Sequence, residues 1–540
     1  MAGIIGTGSV TESGSLFMAD SGWLVRYRAT VYPLVNLAVL LACLTGTVAN
    51  DLPVGVAVYT YALFALCSAP LLLLKRLNDR YAPLAAFMGL YFLFFGALDL
   101  QILLSGTGLL HRGTEFLTAA ELAILVGAAA ALVGYLVGAK WGDPGEQQPA
   151  PAEWPGSTLL VVGITVWLLG TAAMFYFQVV VAPAKLGFEA ARQMASMGPV
   201  LTFVVMLGNM MQPVGILMLA YGYAKYRSTF WYPLILTVVL LQVAVGFVAD
   251  MKMQAMMGAA AVIMVRTVVT NRLPKGWIAA ALLFVVIAFP IFQAYRVEVT
   301  GERGLDRAQA LKQLDKVLDI VMASRDKVTQ GRGRAETFLE RASSKQNLEI
   351  LFAHAGRDVP LLNGRSLVAI PMAFVPRLLV PDKEDISVGQ LFGKKILKAD
   401  SGVYISISHL GELYWNFGWP GVVLGMFAFG LLLGFVGAKF NIEKDVSLTR
   451  VLVLLGTIQP LCLGFGGTMP ISYVLWLRGL AAIGLLHLIF ARRPAPVQAG
   501  TANGMSVSRD PAPPRDLQPN GLQVGTAIAL PAPRFPNMLR

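Results

Sequence analysis

The chain has 540 residues, 56% of them hydrophobic and only 14% charged, with a net charge of +12 and a mean hydropathy of +0.64. Soluble domains carry about 25% charged residues, so this deficit excludes an ordinary globular enzyme and points to lipid as the surrounding medium. The three cysteines, Cys43, Cys67 and Cys462, fall in apolar stretches; they read as small buried side chains and build neither a disulfide framework nor a metal motif.

Residues 1–29 are Gly/Ser-rich and lack the charged, apolar, small-residue order of a cleaved signal. They are expected to be a cytoplasmic N-terminal segment leading into an uncleaved anchor. Apolar runs follow, each near the roughly 20 residues that cross about 30 Å of hydrocarbon as a helix. They lie at 30–48, 54–74, 82–104, 117–138, 158–181, 198–223, 231–248, 255–271, 276–294, 419–439, 450–469 and 471–491. The run at 255–271 is the weakest, because Arg266 sits near its end. A β-barrel would alternate every second residue, and these runs do not. The pattern predicts an all-α polytopic membrane protein of about twelve spans. Helices 1–9 occupy 30–294, with a polar Pro/Gly linker at 141–156; a large loop fills 295–418, and helices 10–12 fill 419–491. The Pro-rich tail, 492–540, has no helical period and is expected to be disordered.

Lys and Arg in short loops set the orientation. With the N-terminus inside, the inner loops hold Arg26, Arg28, Lys75, Arg76, Arg80, Lys140, Lys225, Arg227, Arg272, Lys275, Lys444, Arg450, Arg492 and Arg493. The outer short loops hold only Arg112, Lys185, Arg192 and Lys252. Both termini are therefore expected in the cytoplasm of a bacterial inner membrane, with the large loop outside. In that loop, Leu311, Leu314, Leu318 and Val321 repeat at helical spacing over 306–324, and a second helix is expected from about Ala335 to Ala355. The apolar run 367–380 is too short to span and reads as re-entrant or interfacial.

Most charges in the loop are expected to be solvated. Those at the outer membrane face are more informative, since an ionised group there costs several kcal/mol unless paired or hydrated. Asp99, Glu121, Asp250, Lys252, Arg296 and Arg478 all gather towards that leaflet. One explanation is structural ion pairing, for instance Asp99 or Glu121 with Arg478; the other is a polar cavity open to the outside. Arginine suits a diphosphate because its planar fork binds phosphate oxygens bidentately. Arg296, Arg377 and Arg478 are the candidates, with Lys252 as a point charge.

The loop returns to the membrane through His409-Leu410-Gly411-Glu412-Leu413-Tyr414-Trp415-Asn416-Phe417-Gly418-Trp419-Pro420-Gly421, with Gly425 and Gly430 beyond. Upstream stand Pro376-Arg377, Pro381-Asp382-Lys383 and Gly389, with Tyr295-Arg296 at a span exit. These stretches resemble the oligosaccharide repeat-unit polymerases, the O-antigen (Wzy-type) polymerase family. Val380 stands where that family usually has Trp, and the specific likeness covers about fifty residues, the remainder matching in layout. The resemblance implies a GT-C-like glycosyltransferase acting on the outer leaflet. A growing glycan would leave its polyprenyl diphosphate for a lipid-linked repeat unit. The implied partners are the polyprenyl-diphosphate-linked oligosaccharide, the bilayer and a chain-length regulator, with no cofactor, no metal and no nucleic acid. The outer loop is compatible, since it carries no Asp-x-Asp motif and no His/Cys ligand spacing.

Such a transfer needs cations for the leaving diphosphate and a base for the acceptor hydroxyl, worth about 10²–10⁴ in rate. His409 and Glu412 are three residues apart and Glu412 and Asn416 four, so a helix puts them on one face. Glu412 or His409 is the expected base, with Tyr414 and Asn416 binding sugar hydroxyls. The competing account has Glu412 capping a helix or pairing with an arginine, and Asn416-Phe417-Gly418 as a turn. The rival functions are an O-antigen ligase, and a polysaccharide transporter or lipid flippase. A transporter would show internal repeats and ionisable groups at the midplane, neither of which the sequence displays.

Overall fold

The computed structural model describes residues 22–106, 116–142, 154–176, 199–226, 229–248, 252–294, 343–375, 380, 388–399, 405–443 and 445–490, with 319 and 339 as isolated positions. Side chains are described over the same ranges except 22–29, 199–207, 209, 247–248, 252–253 and 286–294. The expected loop helix at 306–324, Asp250, Arg296, Arg377, the side chain of Lys252 and the tail lie outside the described residues.

The described chain is helical without a strand; its one bridge joins Ala355 to Val359. The helices before the loop are α1 (Gly22–Ala49), α2 (Val54–Ser68), α3 (Pro70–Leu73), α4 (Ala82–Phe95), α5 (Ala97–Ser105), α6 (Ala119–Trp141), α7 (Gly156–Tyr176), α8 (Pro199–Lys225), α9 (Trp231–Val248), α10 (Lys252–Thr270) and α11 (Lys275–Ala294). The loop contributes α12 (Lys345–His354), α13 (Arg365–Met372) and α14 (Val388–Lys395). Then come α15 (Ser408–Lys439), α16 (Leu448–Cys462), a 3₁₀ turn (Leu463–Gly466) and α17 (Met469–Phe490).

Among the described residues seven helices are long and apolar enough to cross a membrane, or eight if the bent pair α4–α5 is one span. Shorter apolar helices run over Trp231–Gly246, Gln254–Thr270 and Lys275–Val285. The chain is thus an all-α polytopic membrane protein. Its outward faces are apolar, with Leu34, Leu44, Val133, Leu168, Leu240 and Leu488 exposed, as a lipid-facing surface requires.

Close packing is set by small residues. An added Cβ at Gly134 or Gly138 of α6 would strike the backbone of Phe427 or Leu431, and one at Gly430 or Gly434 of α15 would strike Ala131 or Tyr135. Four-residue spacing on both helices lets their backbones touch, which is how helices associate where no hydrophobic force separates protein from lipid. Elsewhere Gln212, Gln242 and Gln254 join α8, α9 and α10 through buried amide bonds of 3.0–3.1 Å.

Two details depart from the expected straight spans. The third breaks between α4 and α5 with a bend of 51°, because Gly96 leaves helical geometry (φ −127°). Helix α15 kinks at Gly418 (φ 62°, ψ −146°), a conformation open to glycine and almost nothing else. The expected boundary between loop and span falls on this kink.

The bundle has two distinct ends. At the loop end, Asn50 donates to Leu103 O at 2.8 Å, Ser344 N donates to Phe94 O at 2.9 Å, and Ser406 donates to Gly466 O. At the other, Leu77 N donates to Asn271 Oδ1 at 2.9 Å, Tyr221 donates to Val446 O at 3.0 Å, Tyr135 donates to Arg80 O, and Arg76 pairs with Glu443 at 3.9 Å.

Candidate functional site

The stretch from Ser408 to the Gly418 kink is a short helix of its own, the junction helix. It starts under strain, since Ser408 has φ 63°, an unusual value for a residue with a side chain. His409, Glu412 and Asn416 do share one face, and all three are buried, at 1%, 0% and 0% exposure. That face meets the start of α17 and the start of α13. Glu412 Oε2 accepts from Met469 N at 2.9 Å, so the carboxyl sits on a helix N-terminus, where the backbone dipole favours negative charge. Asn416 Nδ2 donates to Ser366 Oγ at 2.7 Å and back to Glu412 O at 2.8 Å. Ser366 faces the Glu412 carboxyl as well.

His409 Nε2 lies 3.1 Å from Ser472 Oγ. The Ser472 hydroxyl donates its single proton to Gly464 O at 3.2 Å, so it accepts from Nε2–H, and His409 Nδ1 carries a lone pair. The imidazole is walled by Phe465, Tyr473 and Phe429, with centroids 4.9, 6.0 and 6.1 Å away. Three atoms on this face, His409 Nδ1, Glu412 Oε1 and Asn416 Oδ1, make no well-formed hydrogen bond. Each such buried group costs about 1–3 kcal/mol, and three on one face of one short helix is a concentration of polar capacity.

The loop closes over this face. Leu362 N and Asn363 N donate to Trp415 O and Asn416 O at 2.9 and 3.1 Å, and Trp415 Nε1 donates to Pro360 O at 3.2 Å. Tyr414 is stacked on Phe352 at 3.6 Å, with Trp419 edge-on to both. Tyr414 therefore fastens α12 to the junction helix in this state. Arg478 donates to Ala373 O at 2.9 Å and lies over the Phe374 ring, so it holds the end of α13 and does not join the His409–Glu412 group.

The suggested pairing of Asp99 or Glu121 with Arg478 is not what forms. Both carboxyls converge on Lys345, a residue that sequence reasoning passed over. Its ammonium contacts Asp99, lies 2.8 Å from Glu121 Oε1 and 3.8 Å from Glu349 Oε1, and sits 4.4 Å over the Tyr59 ring. Burial alone would lower the lysine pKa, but the carboxylates outweigh it and hold the ammonium above its ordinary value. Glu121 also completes a capping box with Thr118 at the start of α6. The physical reason for the exchange of partners is reach. The α4–α5 bend turns Asp99 towards the loop end, where Lys345 opens α12, while Arg478 is committed to α13. The sequence near Asp99 and Glu121 carries no signal for Lys345, which lies 246 and 224 positions from them.

No protein family, curated protein or solved structure matches this chain.

Proposed function

We propose that this chain is a polysaccharide polymerase. It moves a growing O-antigen or exopolysaccharide chain from polyprenyl diphosphate to a lipid-linked repeat unit at the outer leaflet of a bacterial inner membrane. In this reading the protein is a GT-C-like bundle of about twelve spans with both termini cytoplasmic. The observation that carries it is the junction helix, where buried His409, Glu412 and Asn416 on one face each keep an unsatisfied polar atom.

The acceptor hydroxyl oxygen attacks the anomeric carbon, and the bond from that carbon to the diphosphate breaks, its electron pair leaving on the phosphate oxygen. The hydroxyl proton goes to Glu412 Oε1 or His409 Nδ1. Asn416 orients the Glu412 segment and meets sugar hydroxyls once its Ser366 bond opens, and Tyr414 does so once it leaves its stack on Phe352. Arg296, Arg377, Arg478 and Lys252 supply charge to the leaving diphosphate, whereas Lys345 is already neutralised by its carboxylates. A site this enclosed has to open. The Asn416–Ser366 and Arg478–Ala373 bonds that fasten α13 are the contacts to release.

The test is surface glycan resolved on gels from a host deleted for this chain. A polymerase leaves single repeat units, a ligase leaves none on the final acceptor, and a transporter or flippase traps units inside. Complementation with Glu412→Ala should reproduce the single-unit pattern, with turnover down about 10²–10⁴-fold. Unaltered chain lengths with Glu412→Ala or Arg296→Ala would overturn the site.

A further inference from the structure

The end of the bundle opposite the loop holds a cleft of about 930 Å³ that the reaction above does not use. It lies where α8 and α10 end and α9 and α11 begin, and is lined by Tyr223, Tyr232, Arg266, Arg272, Lys275 and Trp277 among others. Three of its described lining residues are cations and none is a carboxylate.

Arg266 explains why its helix looked weak as a span. Its guanidinium donates to the Tyr223 hydroxyl and lies over that ring, and Trp277 Nε1 donates to the same hydroxyl at 3.4 Å. Tyr223 thus accepts twice, and its own proton has no acceptor among the described residues. Lys275 is exposed and Arg266 half-buried, and no ion pair forms at either among the described residues. Taking an arginine partly out of water in a cleft it shares with Lys275 is unfavourable unless an anion joins them.

The ring content says which anion. Tyr232 and Phe230 are exposed at the start of an apolar helix, as is Leu273 beside the next. Aromatic rings and cations at the ends of apolar helices mark the level of lipid headgroups, and basic pockets between such helices bind anionic headgroups. We propose that this cleft binds the phosphate of an anionic membrane lipid. Arg266 and Tyr223 form its floor, Arg272 and Lys275 its rim, and the acyl chains run along α9 and α11.

The test uses the full chain in neutral detergent, equilibrated with equal phosphatidylglycerol and phosphatidylcholine and read by native mass spectrometry. The wild type should retain phosphatidylglycerol preferentially. Arg272→Gln and Lys275→Gln, both at exposed positions and so expected to fold, should each lower that preference about fivefold. Lys140→Gln, at the same end but outside the cleft, should leave it intact. Arg266→Gln should abolish it, with size-exclusion profiles separating lost binding from lost folding. No preference in the wild type, or one that survives Arg272→Gln and Lys275→Gln, overturns the site. Displacement of the lipid by millimolar inorganic phosphate would overturn the lipid as ligand and make the cleft a soluble-phosphate site.

Discussion

The two ends of this bundle handle charge in opposite ways. At the loop end the buried carboxyls of Asp99 and Glu121 share one buried cation, Lys345. At the other, Arg266, Arg272 and Lys275 line an open cleft with no described carboxylate among them. Buried charges have to be paired, because an unpaired charge away from water costs several kcal/mol. Cations lining a cleft at the water boundary can present a field to a mobile anion. The first arrangement joins a loop to its bundle, and the second suits a ligand that comes and goes.

Breaking the paired end should have the largest effect. Lys345→Met leaves two carboxyls without their cation and should cost about 3–5 kcal/mol, seen as a fall in unfolding temperature in detergent. Adding Asp99→Asn and Glu121→Gln should recover part of the loss, and a triple variant no better than Lys345→Met would show that the cluster is not electrostatic. Gly138→Leu, which drives a side chain into the Leu431 backbone, should cost at least the 1–3 kcal/mol typical of overpacking. Unlike the first change, it should loosen both ends together in amide exchange. Asn416→Ala should act on one contact only. Losing its bond to Ser366 should cost about 1–3 kcal/mol and raise exchange over 365–375, while the helices around Arg266 stay protected.

The smallest effect concerns pH. The Lys345 pKa is raised in the folded state, so its stabilisation is complete below the unfolded value of about 10.4 and is lost only as pH rises through the higher folded value. Thermal unfolding should show no loss from this cluster between neutrality and the ordinary lysine range. A decline beginning near pH 8 would mean that Lys345 is not held by its carboxylates.

Hydropathy was enough to locate the long helices of the bundle, because lipid demands long uninterrupted apolar runs, whereas α12 and α14 lie outside any such run. It was also enough to gather His409, Glu412 and Asn416, since i, i+3 and i+7 lie on one face of any helix. Both are local properties, set by residues close in the chain. The partners were beyond its reach. Lys345 lies 246 positions from Asp99, and Asn416 50 positions from Ser366. Arg266, which reads as a flaw in a span, turns out to be part of a cleft lined from four helices. Such pairings depend on where Gly96 and Gly418 bend the chain and which helices their glycines let touch. Only the packed bundle decides that, because a charge in an apolar medium takes whichever partner the fold brings within reach.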